Sequence, residues 1–281
     1  MVELGLNERD GLEKLATDDI LVRLALAGKC GRVWMPATGT ASYCVIKVYH
    51  YMYIVGVTPK KDRAVSLWGT IARHGEGAYI IPTSESWIDW LVENIDCRYR
   101  NFSRYLLQFK GIENRDLLVE LNGALEEGLN IDNVRPDDYD ALLKDMWSED
   151  FASCFDNRDE FAKDATGYMV YKDGVALSGC VGRAYGDEFM ELIFATNPDY
   201  RRRNLALTAA SNVSLYLEDK NINPYIDVRN QHSVELASRV GFEFIKEYQV
   251  FQIYNSDNEI SNWNWDTKLD NYKKNINFIV L

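Results

Sequence analysis

At 281 residues the chain is long enough for one large domain or two ordinary ones, each with its own core. A content of 47% hydrophobic and 26% charged residues is that of an ordinary globular protein, neither fibrous nor low in complexity. The 43 acidic against 31 basic residues give a formal charge of −12, which argues against a nucleic-acid surface and biases the exterior towards cationic small molecules.

Five cysteines, Cys30, Cys44, Cys97, Cys154 and Cys180, are scattered without a C-x-x-C pair, as expected of reduced thiols in a cytoplasmic protein. His50, His74 and His232 lie far apart, so no metal site is expected. Met1 to Leu15 is polar and acidic, unlike a signal peptide, and Ile20 to Gly28 is too short to span a bilayer. No membrane partner is expected.

Along the chain, Ile20 to Leu26 reads as a helix and Arg32 to Pro36 as a short strand. Tyr43 to Val57, rich in Val, Ile and Tyr, reads as one long strand or two paired ones. Lys60 to His74 is helical and closed by Gly75; Ala78 to Ile81 is a strand. Ser86 to Ile95 is a helix with Trp87, Trp90 and Leu91 on one face, and Ser86-x-x-Asp89 reads as a capping box. Cys97 to Phe109 is a strand, and Asn114 to Glu127 a helix leading to a domain boundary.

The second half opens with a strand near Asn130 to Pro136, followed by short helices over Tyr139 to Trp147 and Arg158 to Lys163. Lys172-Asp173-Gly174 marks a hairpin between Tyr168 to Tyr171 and Val175 to Arg183. An apolar strand, Met190 to Phe194, then enters Thr196-Asn197-Pro198-Asp199-Tyr200-Arg201-Arg202-Arg203-Asn204, and a helix runs over Leu205 to Lys220. Asn204 tolerates a left-handed backbone. A strand passing through a tight basic turn into a helix start aims backbone N–H groups at one spot, suited to a pyrophosphate. A strand at Pro224 to Val228, a helix from Ser233 and a strand over Phe244 to Phe251 complete the half. The alternation from Tyr53 to Phe109 repeats that from Met190 to Phe251, so the N-terminal region reads as a degenerate echo; its loop Thr58 to Arg63 lacks the Gly or Asn turn, and no pyrophosphate is expected there. The expected division is 1–127, an N-terminal α/β domain, then 128–254, then a tail, 255–281, docked on its own domain or on a partner.

Two stretches carry a family resemblance: Arg201-x-x-Asn204-x-Ala206, and Asn230-x-x-Ser233-x-x-x-Ala237-x-x-x-Gly241-Phe242. Together they resemble the GNAT superfamily of acyl-CoA-dependent N-acetyltransferases, with asparagine in place of the loop's middle glycine and Ala237 in place of the second motif's tyrosine. The likeness spans Leu129 to Tyr254 and is greatest to a two-domain bacterial group that includes the zwittermicin A self-resistance acetyltransferase. It implies a mixed α/β fold, a C-terminal GNAT domain preceded by a smaller α/β domain, and acetyl-CoA or coenzyme A as cofactor.

Acetyl transfer to an amine needs the coenzyme held, the thioester carbonyl polarised, the amine neutral and the thiolate stabilised. The coenzyme is assigned to Ala195, Thr196, Arg201, Arg202, Arg203, Asn204, Leu205 and Ala206, with backbone N–H groups outweighing arginine side chains, and to Asn230 and Ser233 along the pantetheine arm. The resemblance places the N–H of Thr196 or its neighbour at the acetyl oxygen. Glu191 is the candidate base, against the alternative of a glutamate merely facing water, with Glu188 behind it. Ser233, Tyr225 or Tyr200 stand in as acid for the missing tyrosine, or solvent serves. The N-terminal domain is expected to wall one side of the acceptor cleft. The expected activity is acetyl-CoA-dependent N-acetylation of a small-molecule amine by direct attack. The alternatives are a longer acyl-CoA donor or a non-catalytic acyl-CoA sensor; the acceptor's identity and a homodimer stay open.

Overall fold

The computed structural model describes residues 1–37, 42–123, 125–185, 189–254 and 277–279. They form two compact units, Met1–Ser103 with Tyr248–Leu281, and Arg104–Glu247. The expected tail, over 255–276 and 280–281, lies outside the described residues.

The first unit begins with β1 (Val2–Leu4), α1 (Ile20–Leu26), β2 (Arg32–Met35), β3 (Tyr43–Val48) and β4 (Tyr51–Gly56). The Tyr43–Val57 stretch is two paired strands: Tyr49 at φ 51° turns the chain, and Val48 faces Tyr51. Then come α2 (Lys61–His74), β5 (Tyr79–Pro82), α3 (Glu85–Asn94) and β6 (Arg98–Phe109), which continues into the second unit. β4 and β5 pair in parallel across α2, with Tyr53 opposite Ile81. One face buries Val45, Met52, Ile54 and Ile80 against Leu67 and Ile71 of α2 and Trp87, Trp90 and Leu91 of α3. The capping box expected at Ser86 and Asp89 does not form. The helix starts earlier: Ser84 is the N-cap, its C=O takes the N–H groups of Trp87 and Ile88, and its hydroxyl meets that of Ser86 at 3.0 Å.

The second unit contains α4 (Arg115–Gly123), β7 (Leu129–Asn133), α5 (Tyr139–Leu142), α6 (Asp150–Ser153), α7 (Arg158–Asp164), β8 (Ala165–Lys172) and β9 (Val175–Tyr185). The β8–β9 turn holds Asp173 and Gly174 at φ 50° and 81°, two left-handed residues in succession, as the hairpin twist requires. β10 (Phe189–Thr196), α8 (Leu205–Lys220), β11 (Asn223–Val228), α9 (Gln231–Arg239) and β12 (Phe242–Tyr254) follow, and β13 (Asn277–Ile279) pairs with β6. β10 and β11 are parallel across α8. Met190, Leu192, Ile226 and Val228 pack on Leu207, Ala210, Val213 and Leu217 of α8, on Ala237 of α9 and on Val240 just after it.

The strand–helix–strand–helix–strand order thus recurs, with the last strands exchanged. In the first unit the strand beside β5 is β12, which follows α9. In the second, the strand beside β11 is β6, which follows α3. Chain order alone cannot show this, because it concerns which edges pair.

Candidate active site

The basic turn is built from local constraints. After Thr196, Asn197 caps a short turn over Pro198–Tyr200, its Oδ1 accepting from the Asp199 N–H at 3.1 Å. Arg202 and Asn204 then take left-handed conformations, φ 64° and 58°. The first hydrogen bond of α8 runs from the Thr208 N–H to the Asn204 C=O, 2.9 Å. The N–H groups of Leu205, Ala206 and Leu207 therefore precede the helical ladder. These three residues, with Thr196, Arg202 and Asn204, line a cleft of about 250 Å³. Such a mouth combines oriented donors with the positive end of a 16-residue helix dipole.

The cleft leads to a parting of two strands. β10 and β11 pair from Phe189 with Asn223 to Leu192 with Ile226 and no further. Beyond that point β10 continues to Thr196 against β9 only, while β11 continues to Val228 against β6. Ile193, Phe194, Ala195 and Thr196 are all partly exposed in the middle of a sheet. Their backbone groups on the β11 side can receive an extended amide chain as a strand would.

The three arginines have different roles. Arg201 and Arg202 line the cleft; Arg201 Nε also lies 3.4 Å from the Thr196 C=O. Arg203 turns away: its Nε donates to Glu126 Oε1 at 2.7 Å, its second nitrogen pairs with Oε2, and its guanidinium covers the Tyr200 ring at 5.3 Å. That hydrogen bond holds the exposed Glu126 carboxyl below its ordinary range. Glu126 lies 77 residues earlier, so sequence reasoning had no means of separating Arg203 from its neighbours.

The opposite wall comes from α9, through His232, Glu235, Leu236 and Arg239. None of these four is assigned to the site from the sequence, although their spacing marks one helix face. His232 Nδ1 and Glu235 Oε2 are 3.6 Å apart and well exposed. Asn230 caps α9, its Oδ1 accepting from the Ser233 N–H at 2.9 Å. Ala237, where the family motif has tyrosine, is fully buried in the core. Gly241 closes the motif at φ 99°, and a Cβ there would lie 2.6 Å from the Gly111 carbonyl oxygen. Gly241→Ala is therefore expected to cost about 2 kcal/mol or more; a thermal melt should show a Tm several degrees lower, with coenzyme affinity per folded molecule unchanged.

Glu191 and Tyr225 are register partners on neighbouring parallel strands, so the structure sets these two side by side. Both alternate with core residues and so point to the sheet face away from α8 and α9. Ser233, on α9, lies on the other side of the sheet from that pair. Glu191 is not the water-facing residue of the alternative reading: only 4% of it is exposed. Glu188 lies outside the described residues. Beyond Tyr225 on the same face, Asp227 Oδ1 accepts from Arg104 Nε at 2.5 Å, both side chains buried.

The corresponding opening in the first unit is filled. There the Trp87 indole N–H donates to the Gly56 C=O at 2.9 Å, and the Thr83 hydroxyl to the Ile54 C=O at 2.7 Å. The protein's own donors thus occupy the Ile54 and Gly56 carbonyls. Among the described residues no cluster of three or more His, Cys, Asp or Glu side chains could hold a metal, and no helix is long and apolar enough to cross a membrane.

A mixed sheet whose parallel strand pair opens beside a basic turn and the start of a helix sets the class of the fold as mixed α/β. The chain belongs to the GNAT acetyltransferase family, whose model matches residues 13–251. No curated protein matches the chain in sequence. Among solved structures it is similar to a GCN5-related N-acetyltransferase-like protein from Streptococcus suis 89/1591 (21% identity, TM-score 0.76, 89% of this chain and 100% of that one). It is also similar to a GCN5-related N-acetyltransferase from Kribbella flavida (14%, TM-score 0.52, 87% and 99%). A tandem GNAT protein from the clavulanic acid biosynthesis pathway, solved without AcCoA, gives 12% identity and a TM-score of 0.52 over 91% and 99%. At these identities the likeness is one of fold.

Proposed function

We propose that the protein transfers an acetyl group from acetyl-CoA to the amine of a small molecule by direct attack, as a member of the two-domain bacterial group within its family. The observation that carries this reading is the continuity between the parting of β10 from β11 and the mouth of α8. The residues fit the coenzyme: the N–H groups of Asn204 to Leu207 suit the pyrophosphate, assisted by Arg201 and Arg202, and the edge Ile193–Thr196 suits the pantetheine amides. Bound there, the coenzyme supplies an activated thioester. The Thr196 N–H is assigned to the developing oxyanion, a contribution of about 3 kcal/mol for such donors. Glu191 accepts the proton of the amine, and its neighbour Tyr225 is the acid for the thiolate. Ser233 stays with Asn230 at the pantetheine arm. With the counterpart in the first unit filled, one coenzyme binds per chain. Cys44, Cys97, Cys154 and Cys180 form no disulfide, in keeping with a reducing cytoplasm.

A thermal-shift panel tests this. Acetyl-CoA at a hundredfold excess over its dissociation constant should stabilise the protein by roughly 2.7 kcal/mol, and an amine panel should release thiol. Stabilisation without thiol release would point instead to a sensor, and release confined to longer acyl-CoAs to a different donor. No stabilisation by any acyl-CoA would overturn the assignment.

A further inference from the structure

A carboxylate as buried as Glu191 stays ionised only beside a compensating charge. Its register partner on β9 is Arg183, on the same sheet face and also buried; side chains so placed lie about 5 Å apart at Cβ. Arg183 also reaches outward to the helical cover. One guanidinium nitrogen donates to the Cys154 C=O at the end of α6, and the other to Glu160 Oε1 on α7 at 2.5 Å. The guanidinium stacks over Phe155 at 4.7 Å.

We propose that Arg183 is the positioning residue of the Glu191 base: it fastens the α6–α7 layer over the sheet and supplies the cation beside the buried carboxylate. The inference rests on the reading of Glu191 as base.

Groups on the neighbouring elements also bear on the carboxylate. From β11 comes Tyr225, and beyond it Asp227, already engaged by Arg104. From α6 comes the Cys154 thiol, pushed up to about 12 by burial first and by the charge of Glu191 second, with Arg183 opposing. Asp150 of α6 is tied to Arg229 at 3.0 Å. From α7, Glu160 is held below its ordinary value, because the Asp156 N–H and Arg183 outweigh its burial. Arg183 thus serves two carboxylates, and weakening its tie to one should strengthen its hold on the other.

The test is a carboxyl-carbon NMR titration of the full chain labelled at glutamate, with Glu191 assigned by the resonance lost in Glu191→Gln. Arg183→Met should make Glu191 a roughly tenfold weaker acid, and Arg183→Lys should restore it to within about threefold. Glu160→Gln, which leaves the arginine in place if the methionine variant does not fold, should make Glu191 a stronger acid. An unchanged Glu191 titration in a folded Arg183→Met variant, or in Glu160→Gln, would overturn the proposal even if both variants melt earlier. The two readings fail separately. Full acetyl transfer by Glu191→Gln would remove the base assignment whatever Arg183 does, whereas an impaired Glu191→Gln with an unmoved titration would sink only the role of Arg183.

Discussion

Asn204→Gly is expected to bind coenzyme A as the parent does, whereas Asn204→Pro should weaken binding about a hundredfold, or roughly 2.7 kcal/mol. Asn204 sits at φ 58°, where glycine rests without penalty and proline, held near −65°, cannot. Proline also deletes an N–H at the cleft, and one hydrogen bond to a charged group contributes about 1.5–3 kcal/mol. The displaced turn would spoil the aim of the next donors as well. Burial of α8 from Leu207 to Leu217 does not depend on this residue, so the fold should survive. Calorimetric titration with coenzyme A, beside circular dichroism, separates the two effects. Unchanged affinity in a folded Asn204→Pro would remove the loop from the site.

Glu191→Gln is expected to lower turnover at neutral pH by about a hundredfold, within the range usual for loss of a general base, with coenzyme affinity unchanged within about twofold. The second half of that expectation follows from geometry: Glu191 faces away from α8 and α9 and does not line the cleft. The glutamine is nearly isosteric, so packing below the α6–α7 layer is kept. Thiol release measured against an amine panel, with parallel titration of coenzyme A, decides it. Full turnover in this variant would remove Glu191 from the mechanism.

What the sequence disclosed and what it concealed divide along the range of the interactions involved. The limits of α8, the turn at Asp173-Gly174 and the left-handed Asn204 were legible, since each follows from a local pattern or a single residue's steric freedom. The capping box at Ser86 failed because two serines two residues apart could both start the helix, and Ser84 does so. The exchange of β6 and β12 was invisible, as was the point where β10 leaves β11, for both are questions of pairing between distant strands. The burial of Glu191 depends on a helical cover held by Arg183, and the diversion of Arg203 depends on Glu126. The α9 wall was readable in principle: His232, Glu235, Leu236 and Arg239 share a face, but nothing local told which face met a cleft.

The central claim is that the amides at the mouth of α8 hold the diphosphate of the coenzyme. Amide proton–nitrogen NMR of the full chain, titrated with coenzyme A and separately with pantetheine, addresses it most directly. The largest shifts on adding coenzyme A should fall on Arg202 to Leu207, and pantetheine, which lacks the diphosphate, should leave those signals in place. Saturation with coenzyme A that leaves the amides of Arg202 to Leu207 unmoved would contradict the account.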